Sequence, residues 1–130
     1  MTPRNLLCLT FAPLALSACT QEGPGNAPPV SPAARITGPA ESCVPIAQYR
    51  ETRIRDDWTI DFIRDGHRAW RNTLPQRCNG LKSADAFSFK TSLTQLCSTD
   101  IVHVLEHWGN GLHEGAGCGL GPFVPVELEK

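Results

Sequence analysis

The chain has 130 residues, 6 Cys, 11 Gly, 11 Pro and a formal charge of −1. That length suits one domain. No run of 18 apolar residues is present to form a membrane-spanning helix. A charge near zero argues against a dedicated nucleic-acid binder, which is normally strongly basic. With 41% hydrophobic and 19% charged residues, the chain as a whole is not of disordered composition.

Residues 1–18 read as a signal peptide. Arg4 gives a positive start, and Leu6 to Ala15 is an apolar run too short to span a bilayer. The run ends in Leu16-Ser17-Ala18-Cys19. This tetrad resembles a bacterial lipobox, in which the Cys thiol becomes the thioether that carries lipid. Cys19 is then the lipidation site and the first residue of a mature chain of 112 residues, 130 less 18. Each buried acyl methylene contributes about 0.8 kcal/mol, so two or three chains anchor firmly. In lipoproteins of this kind an Asp after the Cys favours the inner membrane. Thr20 stands there instead, so the expected location is the outer membrane, facing the periplasm.

Residues 19–42 read as the lipidated Cys and a tether. Thr20 to Ser42 contains five Pro, three Gly and four Ala, and only Val30 and Ile36 are long aliphatics. Such a stretch buries too little apolar surface to offset its ordering entropy. A flexible chain of this length spans about 26 Å on average.

Residues 43–130 read as a disulfide-stapled β domain. Cys8 leaves with the signal peptide, and four cysteines remain: Cys43, Cys78, Cys97 and Cys118. An even number in a small exported domain indicates two disulfides. Four cysteines permit three pairings. Cys78–Cys97 with Cys43–Cys118 is the favoured set, tying one local loop and joining the domain's two ends.

The strand pattern begins at Tyr49. Tyr49–Arg55 is the first expected strand, turning at Asp56-Asp57. Trp58–Arg64 follows, with Trp58, Ile60 and Phe62 on one face and Ile63 and Trp70 opposite. Asp65-Gly66 is a two-residue hairpin signal. His67–Leu74 is stopped by Pro75. Phe87–Thr91, Asp100–Trp108 and Leu120–Val126 complete the set, the last marked as edge or bulged by Pro122 and Pro125. A helical turn is expected in Ser92–Cys97. About six short strands imply an all-β fold, a small antiparallel barrel or sandwich.

Several segments form one ordered pattern: Asp56-Asp57-x-Thr59-Ile60; Arg71-Asn72-Thr73-Leu74-Pro75 with Cys78, Gly80 and Leu81; Leu96-Cys97-Ser98-x-Asp100; and Cys118-Gly119-Leu120-Gly121-x-Phe123. Together they resemble an uncharacterised family of small exported proteobacterial proteins, a domain of unknown function. The resemblance covers about residues 43–126. It implies export, small size and paired cysteines, and no catalytic residues.

His103-Val104-Leu105-Glu106-His107 matches a zinc-peptidase pattern that requires a helix. The β-branched run Ile101-Val102 favours a strand, where residues four apart lie about 13 Å from each other. A metal site built from His107, His113 and Glu114 across a turn would make a small metal-dependent hydrolase, the alternative function. The glycines from Gly109 to Gly121 lack the helix of a dinucleotide fingerprint and the Lys of a phosphate loop. They read as a long turn and a close-packed strand. Ser98, Asp100 and His103 lie too close in sequence for a nucleophilic triad with no elbow motif.

The best functional surface is a cluster of arginines. Arg50, Arg53, Arg55, Arg64, Arg68, Arg71 and Arg77 fall within 28 residues that hold five acids. Arg favours bidentate anionic partners. With Trp58 and Trp70, the cluster is expected to meet an envelope protein or glycan. The sequence thus implies a lipid-anchored envelope protein, a non-enzymatic binding or structural module with no cofactor.

Overall fold

The computed structural model describes residue 25 and residues 27–130. The expected signal peptide and the expected lipidation site Cys19 lie outside the described residues. Among the described residues there are ten strands: β1 (Ala34–Ile36), β2 (Cys43–Pro45), β3 (Glu51–Ile54), β4 (Thr59–Asp65), β5 (Arg68–Thr73), β6 (Phe87–Phe89), β7 (Gln95–Cys97), β8 (Ile101–Trp108), β9 (Gly111–Gly119) and β10 (Phe123–Leu128). The described residues also include a short helix, α1 (Leu81–Ala84), and a 3-10 turn at Ile46–Gln48. The fold is all-β, as the turn-punctuated sequence implies.

Three antiparallel sheets form. The largest has the order β1-β10-β5-β4-β3, the second β6-β8-β9, and the third pairs β2 with β7. Their inner faces share one core. Ile54, Ile60, Phe62, Trp70 and Phe123 of the large sheet meet Val102 and Val104 of β8, Val44 of β2 and Leu96 of β7. Phe62 sits at the centre, edge-on to Tyr49, Phe87 and Phe123. Such T-shaped pairs contribute about 0.5–1.5 kcal/mol each beyond area burial.

The β4–β5 hairpin forms where the sequence indicates it, with its turn one residue later. Asp65 pairs with Arg68 across Gly66-His67, and Gly66 takes φ +46°. A register shift lies between Ile63 and Asp65. The face assignment of Trp70 is corrected. Trp70 pairs with Phe62, and paired residues share a face, so Trp70 joins the Ile60–Phe62 side. Ile63 does lie opposite, in a smaller cluster with Ala69, Val126 and Leu128.

The tether boundary at residue 42 is also corrected. Ala34–Ile36 is a strand paired with β10. Glu41 bridges to Phe123, and its carboxylate accepts from Trp70 Nε1. Arg71 Nη2 donates to the Pro32 carbonyl at 2.9 Å. Edge pairing supplies the order that this Pro-rich composition lacks on its own.

The disulfides are Cys43–Cys97 and Cys78–Cys118. The favoured pairing of Cys78 with Cys97 and Cys43 with Cys118 is therefore wrong. The reason is the β2–β7 ladder, which puts Cys43 directly opposite Cys97. Gln95–Cys97 is accordingly strand and not the expected helical turn. The helix falls instead at Leu81–Ala84, and it buries Leu81 beside Cys78 in the core.

The glycine-rich stretch is a full strand, β9, hairpin partner of β8, turning at Gly109 with φ +60°. Its glycines make room for side chains from β8. A Cβ on Gly115 would lie 3.0 Å from Glu106, and one on Gly117 would lie 3.2 Å from the His103 ring.

Candidate binding surfaces

The arginine cluster is divided by the fold. In β3, β4 and β5, Arg53, Asp61 and Arg71 occupy one row of cross-strand positions. Asp61 is fully buried and accepts from Arg55 Nε at 2.7 Å and from Arg71 at 2.8 and 2.9 Å. Two guanidinium groups thus share one carboxylate. Elsewhere, Arg53 pairs with Glu51, Arg68 with Asp65, and Arg77 with Asp57. The hydrogen bond from Arg68 holds the Asp65 carboxyl below its usual value, assisted by the charges of Arg68, Arg64 and Arg50. Arg64 lies over the Trp70 ring at 4.2 Å. Arg50 is exposed, and its N–H donates to Ile63.

Trp58 and Trp70 do not flank a surface. They are 5% and 2% exposed. Their expected role as partner-facing aromatics is corrected: large rings on short strands fill the core of a small domain. Asp56 and Asp57 act as turn residues, accepting from the backbone N–H of Trp58 and Lys82.

The His107–Glu114 region does not converge on one point. Glu106 pairs with His113, and His107 with Leu112. Alternation therefore sends His107 and His113 to opposite faces of the hairpin. His113 stacks on Trp108 at 3.6 Å, and Glu114 accepts from Ser88 Oγ. Among the described residues no group of three His, Cys, Asp or Glu side chains is placed to hold a metal. His103 and His107 lie along strand β8, not one helical turn apart. Asp100 caps its own turn by accepting from the Cys97 N–H.

A different feature emerges where two sheets meet. β3 ends the large sheet and β6 ends the three-stranded one. Between them lies an open groove of about 500 Å³, lined by Thr52, Arg53, Ile54 and Arg55 on one wall and Lys82, Asp85, Ala86 and Phe87 on the other. Three of these side chains are cations and one is an anion. Lys82 Nζ spans the groove and donates to the Ile54 carbonyl at 3.0 Å. Arg53 and Arg55 belong to the expected cluster, whereas Thr52, Lys82 and Phe87 carried no sequence signal. Their juxtaposition comes from sheet packing between segments about thirty residues apart.

A second exposed feature is the tip of the β8–β9 hairpin. Trp108 and Leu112 are 60% and 54% exposed there.

The chain matches no family model, no curated protein and no solved structure at a significant level.

Proposed function

We propose that this chain is a lipid-anchored, non-enzymatic binding module of the bacterial cell envelope, held on the outer membrane and facing the periplasm. The observation that carries the binding reading is the groove between β3 and β6, with three cations against one anion. Two disulfides suit an oxidising compartment. The Leu16-Ser17-Ala18-Cys19 tetrad supports the anchor. The family resemblance of residues 43–126 agrees with export.

The anchor and the sheet are close along the chain. From Cys19 to Ala34, where β1 begins, a fully extended backbone covers no more than about 54 Å. The domain would therefore work near its membrane and meet partners within the envelope, whether protein or glycan.

Cross-linking and pull-down from intact envelopes tests this reading, using the lipidated chain with a C-terminal tag. One specific partner is expected, lost with Arg53→Glu or Lys82→Glu. No partner above background, together with stoichiometric zinc in the purified protein, would favour a metal-dependent hydrolase instead.

A further inference from the structure

The groove has the shape of a strand-addition site. β3 has a paired side and an open side. Its ladder to β4 includes the bond from Arg55 N–H to the Thr59 carbonyl. Backbone groups in an antiparallel strand alternate in direction. Thr52 and Ile54 therefore direct their N–H and C=O groups away from β4, toward the groove they line. The Ile54 carbonyl is the group that Lys82 reaches from across the gap.

Lys82 acts as a cover for this edge. Native sheets commonly protect an exposed edge with a lysine. Here the lysine is exposed and sits on a helix of only four residues. A carbonyl accepts its hydrogen bond without neutralising its charge. A carboxylate entering the groove would do both, and would release the Ile54 carbonyl for a new backbone N–H.

Of the other charges lining the groove, Asp85 opposes this occupant, and Arg53 and Arg55 favour it. Arg55 engages Asp61 through Nε, and Asp61 also serves Arg71. That group of three retains one positive charge. Arg53 is tied only to an exposed Glu51, a pairing worth about 0–1 kcal/mol and open to exchange. Phe87 gives the opposite wall an apolar surface for an alternating side chain.

We propose that the groove receives an extended acidic segment of a partner polypeptide, which pairs with β3 as a sixth strand of the large sheet and draws Lys82 onto its carboxylate. This rests on the binding reading above and names the chemistry of the partner.

The test uses the full mature chain in detergent and a labelled peptide of about eight residues alternating Val and Glu, the length of a typical strand with its flanks. A second peptide replaces each Glu with Lys. Fluorescence anisotropy is expected to show binding of the acidic peptide at least about tenfold tighter than the basic one, weakening as salt is added. Lys82→Glu is expected to weaken it by about tenfold or more. Hydrogen exchange of the Thr52 and Ile54 amides is expected to slow on binding. Lys82 is exposed, so its replacement leaves the core intact, and the amide readout serves in the unaltered chain as well.

Equal binding of the two peptides, or unchanged exchange at Thr52 and Ile54, overturns strand addition. Displacement of the peptide by inorganic phosphate alone would make the groove a simple anion site and overturn it too. Self-association through this edge without peptide would assign the occupant to a second copy. If the acidic peptide fails to bind the unaltered chain while an envelope partner is still captured and is lost in Lys82→Glu, strand addition falls and the binding reading stands. Loss of both removes both.

Discussion

Asn72 and Gly121 hold each other by two reciprocal hydrogen bonds. Asn72 Nδ2 donates to the Gly121 carbonyl at 2.7 Å, and the Gly121 N–H donates to Asn72 Oδ1 at 2.8 Å. The side chain imitates a strand partner for the segment just before β10. It stitches β5 to the chain that follows Cys118. Both residues are buried, so water cannot replace either bond.

Gly121 has no room for a side chain. A Cβ there would sit 2.1 Å from the Thr73 carbonyl oxygen. Gly121→Ala is expected to cost more than about 3 kcal/mol, the range of severe core strain. Asn72→Ala leaves two buried backbone groups unpaired and is expected to cost about 2–4 kcal/mol. Urea unfolding of the oxidised protein measures both. A loss below about 1 kcal/mol in either variant would contradict this geometry.

The buried Asp61 is expected to be just as sensitive. Asp61→Asn leaves Arg55 and Arg71 close together without their shared carboxylate. Their side chains are only 15% and 12% exposed. Breaking such a group by removing one partner typically costs about 3–5 kcal/mol. Glu51→Gln, which breaks the exposed pair with Arg53, is expected to stay within about 1 kcal/mol of the parent. Thermal unfolding of the two variants side by side separates a buried from an exposed charge network.

The disulfides close loops with sequence separations of 54 and 40. In the chain-entropy treatment each contributes about 4 kcal/mol by restricting the unfolded chain. Removing Cys43 and Cys97 together, or Cys78 and Cys118 together, is expected to lower stability by roughly that amount. Peptide mapping under non-reducing conditions reads the connectivity directly. A Cys78–Cys97 peptide would contradict the β2–β7 ladder.

Tyr49 is the sole tyrosine of the chain, so its titration is readable by absorbance. Burial raises its pKa above the ordinary value, because the ring packs on Phe62 and the phenolate would lose solvent. The unfolded chain loses this proton near pH 10, and the folded chain holds it to higher pH. Tyr49 thus leaves stability unchanged below pH 10 and reduces it as pH rises from there toward the folded value. Tyr49→Phe is expected to flatten that alkaline decline. The Tyr49 hydroxyl has no hydrogen-bond partner among the described residues, so the same change costs little at neutral pH. A phenolate signal rising with an ordinary midpoint in the folded protein would contradict the burial of this ring.

Much of the fold was legible in local pattern. Alternation and turn residues located β4, β5, β6 and β8 to within a few residues, because each has its own hydrophobic spacing and a Gly, Asp or Pro at its end. The hairpin at Gly66 followed from the chemistry of a tight turn. Asp56 and Asp57 were readable as turn residues for the same reason. The short strands β1, β2 and β7 were not legible. Three residues such as Ala34-Arg35-Ile36 carry no period, and they become strand only when β10 offers its edge. β9 was hidden by its glycines, which weaken strand propensity but admit the side chains of Glu106 and His103.

The candidate site divides in the same way. Composition showed that cations gather between Arg50 and Arg77, but not which acid each would meet. Asp61 takes Arg55, just beyond β3, and Arg71 of β5, from the two sides of β4, a pairing decided across strands. Buried Trp58 and Trp70 could equally have been surface aromatics, since one residue of register moves a side chain to the other face. Sequence alone established the class: all-β, with two disulfides from four cysteines. The tertiary structure decided which cysteines pair, that residues 34–36 join the sheet and which charges line the groove. Those outcomes depend on contacts between residues far apart in the chain, and local spacing holds no record of them.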